Sequence, residues 1–201
     1  MTETQTLTTK QQARLDRILQ SAESLMLSRG FYKLSLSDLT AELRVSRSTL
    51  YEHFGSKEGL VEVISDRYRQ KLGAGLEDIF NAPTLSPAEK LRAMALQTAQ
   101  NLDGKNTRWF MKDLEVHLPD QYAAYLSDRS ERVTRYYAPL INAAISQGQL
   151  TTALPEKYLL HLYLNMVRMA CESGLIEQSG MTKTEVIKHT VAVFFAGASK
   201  P

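Results

Sequence analysis

The sequence predicts an all-α chain of about nine helices, short ones in the first 56 residues and longer ones beyond, and three observations carry that prediction. Apolar residues recur at three- and four-residue steps almost throughout. The breaks between these stretches fall at residues that cap or stop helices: Ser followed three later by Asp, Ser-Pro, and single glycines. No run alternates apolar and polar residues over the length of a strand, and there is neither an internal repeat nor a low-complexity tract.

In the first helix Leu15, Ile18, Leu19, Ala22, Leu25 and Met26 form one apolar stripe, and Gly30 supplies the stop. Ser35 and Asp38 read as a capping box that opens a second helix with Leu36, Leu39 and Leu43 inward. Ser46 caps a third, carrying Leu50 and Phe54 toward Leu39, Leu43 and Ile18. A fourth opens at Lys57 and is expected to reach about Phe80, short of Pro83. Ser86-Pro87 starts a fifth, which Gly104 should stop. A short helix carries Trp109, Phe110 and Leu114, and Pro119 begins a long one to about Ser146. Pro155 opens another, closed near Ser173-Gly174, and a last runs from about Lys183 to Phe195.

Composition narrows the function. The chain has 201 residues and a formal net charge of +2, too small for a binder that relies on bulk charge. Residues 1–57 hold eight Lys/Arg and six Asp/Glu, and the remainder holds sixteen of each. Any contact with nucleic acid therefore rests on where cations are placed, not on how many there are. Cys171 is the only cysteine, which excludes an internal disulfide and a cysteine-built zinc site. The polar opening, Met1 to Gln12, lacks the apolar stretch of a secretion signal, and no run approaches the roughly 20 apolar residues of a membrane span. The expectation is a cytoplasmic protein without a membrane partner.

Residues 35–54 have the dimensions of a helix-turn-helix: a capped helix, a break of about three residues and a second short helix. Arg47, Ser48 and Thr49 form the first turn of the second of these, small enough and polar enough to reach base edges. Tyr51 and His53 offer donors to phosphate oxygens, and Lys57 joins the free N–H groups of the next helix start. Two short capped helices also occur in many helical proteins that bind no DNA.

The wording of the segment is more specific. Leu39-Thr40-Ala41-Glu42-Leu43-Arg44-Val45-Ser46-Arg47-Ser48-Thr49-Leu50-Tyr51-Glu52-His53-Phe54, followed by Ser56-Lys57-Glu58-Gly59-Leu60, closely resembles the DNA-binding domain of the TetR family of bacterial regulators. The stretch from Ile18 through Gly30-Phe31 fits that family's first helix, so the resemblance spans about 50 residues. It implies Thr40, Tyr51, His53 and Lys57 as phosphate contacts and Arg47, Ser48 and Thr49 as residues facing the groove. It also implies a helix-turn-helix domain over residues 10–56, a helical domain over 57–201 that dimerises and binds an effector, and repression of a palindromic operator on double-stranded DNA by a homodimer. The family often has glycine where this chain has Arg44, which must avoid positive φ or accept strain.

Beyond residue 60 the residues are less specific. Tyr158, Leu159, Leu162, Tyr163, Met166, Val167 and Ala170, with Val186, Ile187, Val191, Phe194 and Phe195, offer wide apolar faces for a four-helix dimer interface or for internal core. Trp109, Phe110, Met111, Tyr122, Tyr125, Tyr136, Tyr137, Met166 and Met169 suit the lining of a small-molecule pocket and equally suit ordinary packing. Glu115, His117, Arg168 and Glu172 are the polar groups near them. The alternative to a small-molecule effector is a protein partner for the C-terminal domain. The histidines lie on different helices without ligand spacing, so no metal or other cofactor is expected. The absence of a nucleophile elbow, a phosphate-binding glycine loop or a metal signature argues against an enzyme.

Overall fold

The computed structural model describes residues 9–101, 107–151, 153–171 and 173–198. Among them there are helices and no strand: α1 (Thr9–Arg29), α2 (Leu36–Leu43), α3 (Arg47–Phe54), α4 (Lys57–Gly73), α5 (Leu76–Asn81), α6 (Pro87–Asn101), α7 (Arg108–His117), α8 (Pro119–Arg132), a π-helical turn (Val133–Tyr137), α9 (Ala138–Ser146), α10 (Glu156–Cys171), α11 (Ser173–Ser179) and α12 (Lys183–Ala198). The all-α class is as expected. The expected stop at Gly104 lies outside the described residues.

The larger number of helices has three local causes. The expected fourth helix breaks after Gly73, because two glycines in three residues weaken it and Gly75 takes φ +78 at the start of α5. The expected long helix from Pro119 is interrupted by the π-turn. Pro139 lacks an N–H and its ring crowds the carbonyl four residues back, so the chain widens and Ala138 N–H donates to Val133 O instead. Finally, Gly174 does not end the helical region: α11 continues past it to Ser179, and Gly180 at φ +66 makes the stop.

The chain forms two compact units that are not consecutive in sequence. One is residues 1–67 with 107–122, and the other is 68–106 with 123–201. Set beside the division expected at residues 56 and 57, the first unit also takes in 57–67 and all of α7. Its core is Ile18, Leu19, Ala22 and Met26 of α1, Leu39, Leu50, Leu60 and Ile64 of the next three helices, and Phe110 and Leu114 of α7, all buried. The apolar stripe read from the sequence of α1 therefore faces inward, with Leu15 and Leu25 at its half-buried margins.

In the second unit α12 lies against both α10 and α6. Leu159, Tyr163, Ala170, Val186, Ile187, Val191, Phe194 and Phe195, expected to serve either dimerisation or core, are buried within the chain's own core. Tyr163 sits at its centre, fully buried, with its ring edge-on to Phe194 at 5.3 Å. Its hydroxyl donates to Leu91 O at 2.6 Å, which satisfies the one polar atom that side chain brings into the core. Burial raises the Tyr163 hydroxyl well above its ordinary pKa of 10.0, so it remains a donor at any physiological pH. No helix among the described residues is long and apolar enough to cross a membrane.

A Tyr163→Phe variant should keep the fold and lose about 1 kcal/mol of stability, the net value of one buried hydrogen bond. Urea unfolding followed by circular dichroism reads this, and a midpoint equal to wild type would show that the bond contributes nothing.

Candidate nucleic-acid interface

The interface candidate is built on α2 and α3, and local hydrogen bonds set both ends of each helix. Ser35 N–H donates to Asp38 Oδ2 at 2.8 Å, and Asp38 N–H donates back to Ser35 Oγ at 3.1 Å. This is the expected capping box, and it satisfies two N–H groups that no helix turn could reach. The Ser35 hydroxyl, which also donates to Asp38, and the Ser35 N–H hold the Asp38 carboxyl below its ordinary pKa of 3.8.

At the other end of α2, Arg44 adopts φ 52, ψ 45 and is the only non-glycine residue with positive φ among those described. Of the two alternatives open to it, this chain accepts the strain, about 1–2 kcal/mol for a residue with a Cβ. The return is a complete Schellman turn: Val45 N–H donates to Thr40 O at 3.1 Å and Arg44 N–H to Ala41 O at 3.3 Å. The turn reverses the chain so that Ser46 can cap α3, its Oγ accepting from Thr49 N–H at 3.1 Å.

The sequence-predicted residues divide into two groups, four exposed and three half-buried, the latter being Thr40, Thr49 and Lys57. Arg47, Ser48, Tyr51 and His53 are exposed, while Leu50 beneath them is buried, so α3 presents a polar face over an anchored apolar one. Within that face Ser46 Oγ lies 2.7 Å from Ser48 Oγ and 2.8 Å from Thr49 Oγ1, and the Arg47 guanidinium donates to Ser37 Oγ of α2. Thr40 is half-buried and donates to Ser37 O at 3.0 Å. Lys57, also half-buried, turns its ammonium to Tyr32 O at 3.1 Å. Thr40 and Arg47 are thus joined through Ser37, Ser48 and Thr49 through Ser46, and Lys57 is tied to the loop that follows α1.

Sequence reading missed what holds that loop. Asp113 of α7 accepts from the N–H groups of both Phe31 and Tyr32 through one carboxylate oxygen, at 2.7 and 2.8 Å. His117, one turn further, stacks on the Tyr32 ring with centroids 3.7 Å apart and planes 4° from parallel. Phe110 meets Phe31 edge-on at 5.8 Å. Gly30 is required here twice over: its φ is +78, and a Cβ would stand 2.5 Å from Asp113 Oδ2. Gly59 is the second such position, since a Cβ there would meet Phe54 O at 2.1 Å where α4 turns away from α3. The glycines were visible in the sequence; nothing at Asp113, some eighty residues downstream, marked it as their partner.

The residues read as a possible effector lining are divided between the two units. Trp109 is exposed, Phe110 is core, and Met111 and Tyr122 are half-buried, all in the first unit. Tyr125 and Met166 are half-buried, Tyr136 is buried and Met169 is exposed in the second. The His117 ring is occupied with Tyr32, and Glu115 pairs with Lys112 at 2.8 Å. No group of three or more His, Cys, Asp or Glu side chains that could hold a metal occurs among the described residues.

Residues 18–64 match the family model described as "Bacterial regulatory proteins, tetR family". An uncharacterized HTH-type transcriptional regulator of Bacillus subtilis, YvaF, is 24% identical over 181 residues, covering 90% of this chain and 93% of that one. The HTH-type transcriptional repressor KstR2 of Mycobacterium tuberculosis is 22% identical over 138 residues, 68% of each chain. The solved structure of that organism's ketosteroid regulator KstR2 superposes with a TM-score of 0.74 at 16% identity, over 94% of this chain and 96% of that one. The structure of AibR "in complex with isovaleryl coenzyme A and operator DNA" gives 0.70 at 20% identity, over 90% and 98%.

Two outcomes follow for this unit. Asp113→Ala leaves two backbone N–H groups without their acceptor and should cost about 2 kcal/mol in chemical unfolding; an unchanged midpoint would mean that water replaces the carboxylate fully. For Asp38, a lowered folded-state pKa means a contribution present above the ordinary value of 3.8 and lost as pH falls through the lower folded one. Asp38→Asn should therefore melt below wild type at pH 7, and the gap should close in acid; a gap independent of pH would assign the effect to something other than the charge.

Proposed function

We propose, for a chain that belongs to the TetR family of bacterial regulatory proteins through residues 18–64, that it represses transcription as a homodimer on a palindromic operator and is released by a small-molecule effector. The observation that carries the reading is the exposed polar face of α3, led by Arg47 and Ser48 and fixed from below by buried Leu50. In a helix-turn-helix this first turn enters the major groove, where Arg47, Ser48 and Thr49 would meet base edges. Thr40, Tyr51, His53 and Lys57 would hold phosphates and set register. Lys57 reaches DNA by giving up Tyr32 O, an exchange of a neutral acceptor for a charged one.

One such motif reads only a few base pairs, so a two-fold pair of them is needed for a useful site. The dimer surface fits the outer flanks of α10 and α12. Tyr158, Leu162 and Met169 fall at i, i+4 and i+11 on α10, with Tyr158 and Met169 exposed. Val193, 64% exposed, lies on the corresponding face of α12 with Gly197. The functional division is DNA reading in residues 10–56 and effector binding with dimerisation in 57–201. Release would be a population shift, the ligand preferring a spacing of the two α3 helices that fails to match successive grooves. The chain passes between its two compact units three times, after Arg67 in α4, after Asn106 and after Tyr122 in α8, so α4 is not the sole covalent route for that shift. KstR2, a relative at 22% identity, is named a repressor, which supports repression here, and the similar fold of AibR was solved in complex with isovaleryl coenzyme A and operator DNA, which supports a chain that binds both a small molecule and DNA.

The test is binding to the DNA flanking the chain's own gene, titrated against salt. Wild type should bind a roughly palindromic segment in the nanomolar range, and Tyr51→Ala with Lys57→Ala should lower the salt slope by about 1–2. Arg47→Ala should instead flatten sequence preference at one position per half-site, by about 1–3 kcal/mol. Equal, weak and sequence-independent binding by all three, with an empty selection from randomised DNA, would overturn the proposal.

A further inference from the structure

Within the second unit, α6 and α12 leave between them a cleft of about 200 Å³ lined by Arg92, Leu96, Ile187, Lys188, Val191 and Ala192. None of the aromatic or methionine residues that the sequence offered as an effector lining borders it. Its inner wall is aliphatic: Ile187 and Val191 are buried and Leu96 is half-buried. Its rim carries two exposed cations, Arg92 from one helix and Lys188 from the other.

The charges around that rim are arranged unequally. Each cation has a carboxylate three residues earlier on its own helix, Glu89 before Arg92 and Glu185 before Lys188, but both carboxylates are engaged at helix caps. Glu89 accepts from Ser86 N–H at 2.8 Å. Glu185 accepts from Thr182 N–H at 2.8 Å and from the Thr182 hydroxyl at 2.7 Å. Neither Arg92 nor Lys188 forms an ion pair among the described residues. The hydrogen bonds from Ser86 and Thr182 are the main cause that holds the Glu89 and Glu185 carboxyls below their ordinary pKa, with smaller through-space contributions from Arg92 on Glu89 and from His189 and Lys188 on Glu185. The Arg92 guanidinium lies 4.0 Å over the centre of the Phe195 ring, which holds it in place and leaves its N–H edges free to donate.

We propose that this cleft binds a small aliphatic carboxylate, the chain lying against Leu96, Ile187 and Val191 and the carboxylate between Arg92 and Lys188. Pockets for drug-sized ligands run about 300–1,000 Å³, so a cleft of about 200 Å³ selects a short chain. Two cations at the rim select an anion, and the stacked Arg92 guanidinium gives up little freedom when it pairs with a planar carboxylate. The helical period of α12 puts Lys188 and Ala192 on the flank beside α6, away from Val193 and Gly197 on the flank proposed to meet a second copy. Ligand and dimer therefore do not compete for the same surface.

The test uses the full chain without DNA, so its failure and that of the repressor reading are separate. Hexanoate, 1-hexanol and inorganic phosphate are titrated by calorimetry and by thermal shift against wild type, an Arg92→Gln, Lys188→Gln double variant, and Ala192→Phe, which fills the mouth. All three substituted positions are exposed, so Ala192→Phe should melt with wild type in the absence of ligand, the double variant should melt lower only by the loss of the Arg92–Phe195 contact, and retained cooperative unfolding serves as the folding control. Hexanoate should saturate wild type and bind at least tenfold more tightly than hexanol or phosphate. The double variant should lose that tenfold preference for hexanoate over hexanol, and Ala192→Phe should weaken both. Absence of saturable hexanoate binding, phosphate binding as tight as hexanoate, or hexanoate binding unaffected by either variant would each overturn the site.

Discussion

The first compact unit depends on one carboxylate. Where α1 ends, the chain must turn sharply to start α2, and the peptide N–H groups of Phe31 and Tyr32 face no helical acceptor. Asp113 supplies it, with a single oxygen taking both at 2.7 and 2.8 Å. Only glycine fits at position 30, because the same oxygen occupies the space a Cβ would need. The bond fixes the direction in which the chain leaves α1, and through it where α2 and α3 begin. It also explains why α7, distant in sequence, belongs to this unit: a buried Phe110 and the stacked His117 flank Asp113 and complete the contact.

Around that point the unit uses polar side chains twice, once for structure and once for surface. Ser35, Ser46 and Ser56 satisfy N–H groups at the starts of three successive helices, at distances of 3.0 to 3.1 Å. The same hydroxyl chemistry aligns Ser48 and Thr49 on the face of α3 and meets Arg47 through Ser37. With a net charge of +2, the chain has little long-range attraction for a polyanion. A helix whose first turn is already ordered loses less conformational entropy when it docks, which is the physical gain from that placement.

The second unit solves a different problem, a large helical core with few polar groups. Tyr137, Tyr163 and Phe194 meet in a chain of ring contacts, and the one hydroxyl at its centre is bonded to a helix carbonyl. Pro139 accounts for the π-turn before α9, and Tyr136 and Tyr137 within that turn are both buried. What remains outward on α10 and α12 is apolar on one flank and cationic on the other.

The sequence by itself determined the helical class, the boundaries at Ser35, Ser46, Pro87 and Pro119, the inward stripe of α1 and the helix-turn-helix. All of these rest on interactions within about four residues, whose partners can be read from spacing alone. It also posed the question at Arg44 correctly, though only the folded turn shows that the arginine takes the left-handed conformation. The tertiary structure decided what involves partners far apart in the chain: that Asp113 serves Gly30 and its loop, that the large apolar residues of α10 and α12 point into their own core, and that the residues expected to line an effector pocket fall in two different units. Periodicity tells which face of a helix is apolar. It carries no information about which other helix that face will meet, because that choice is made by packing between segments tens of residues apart.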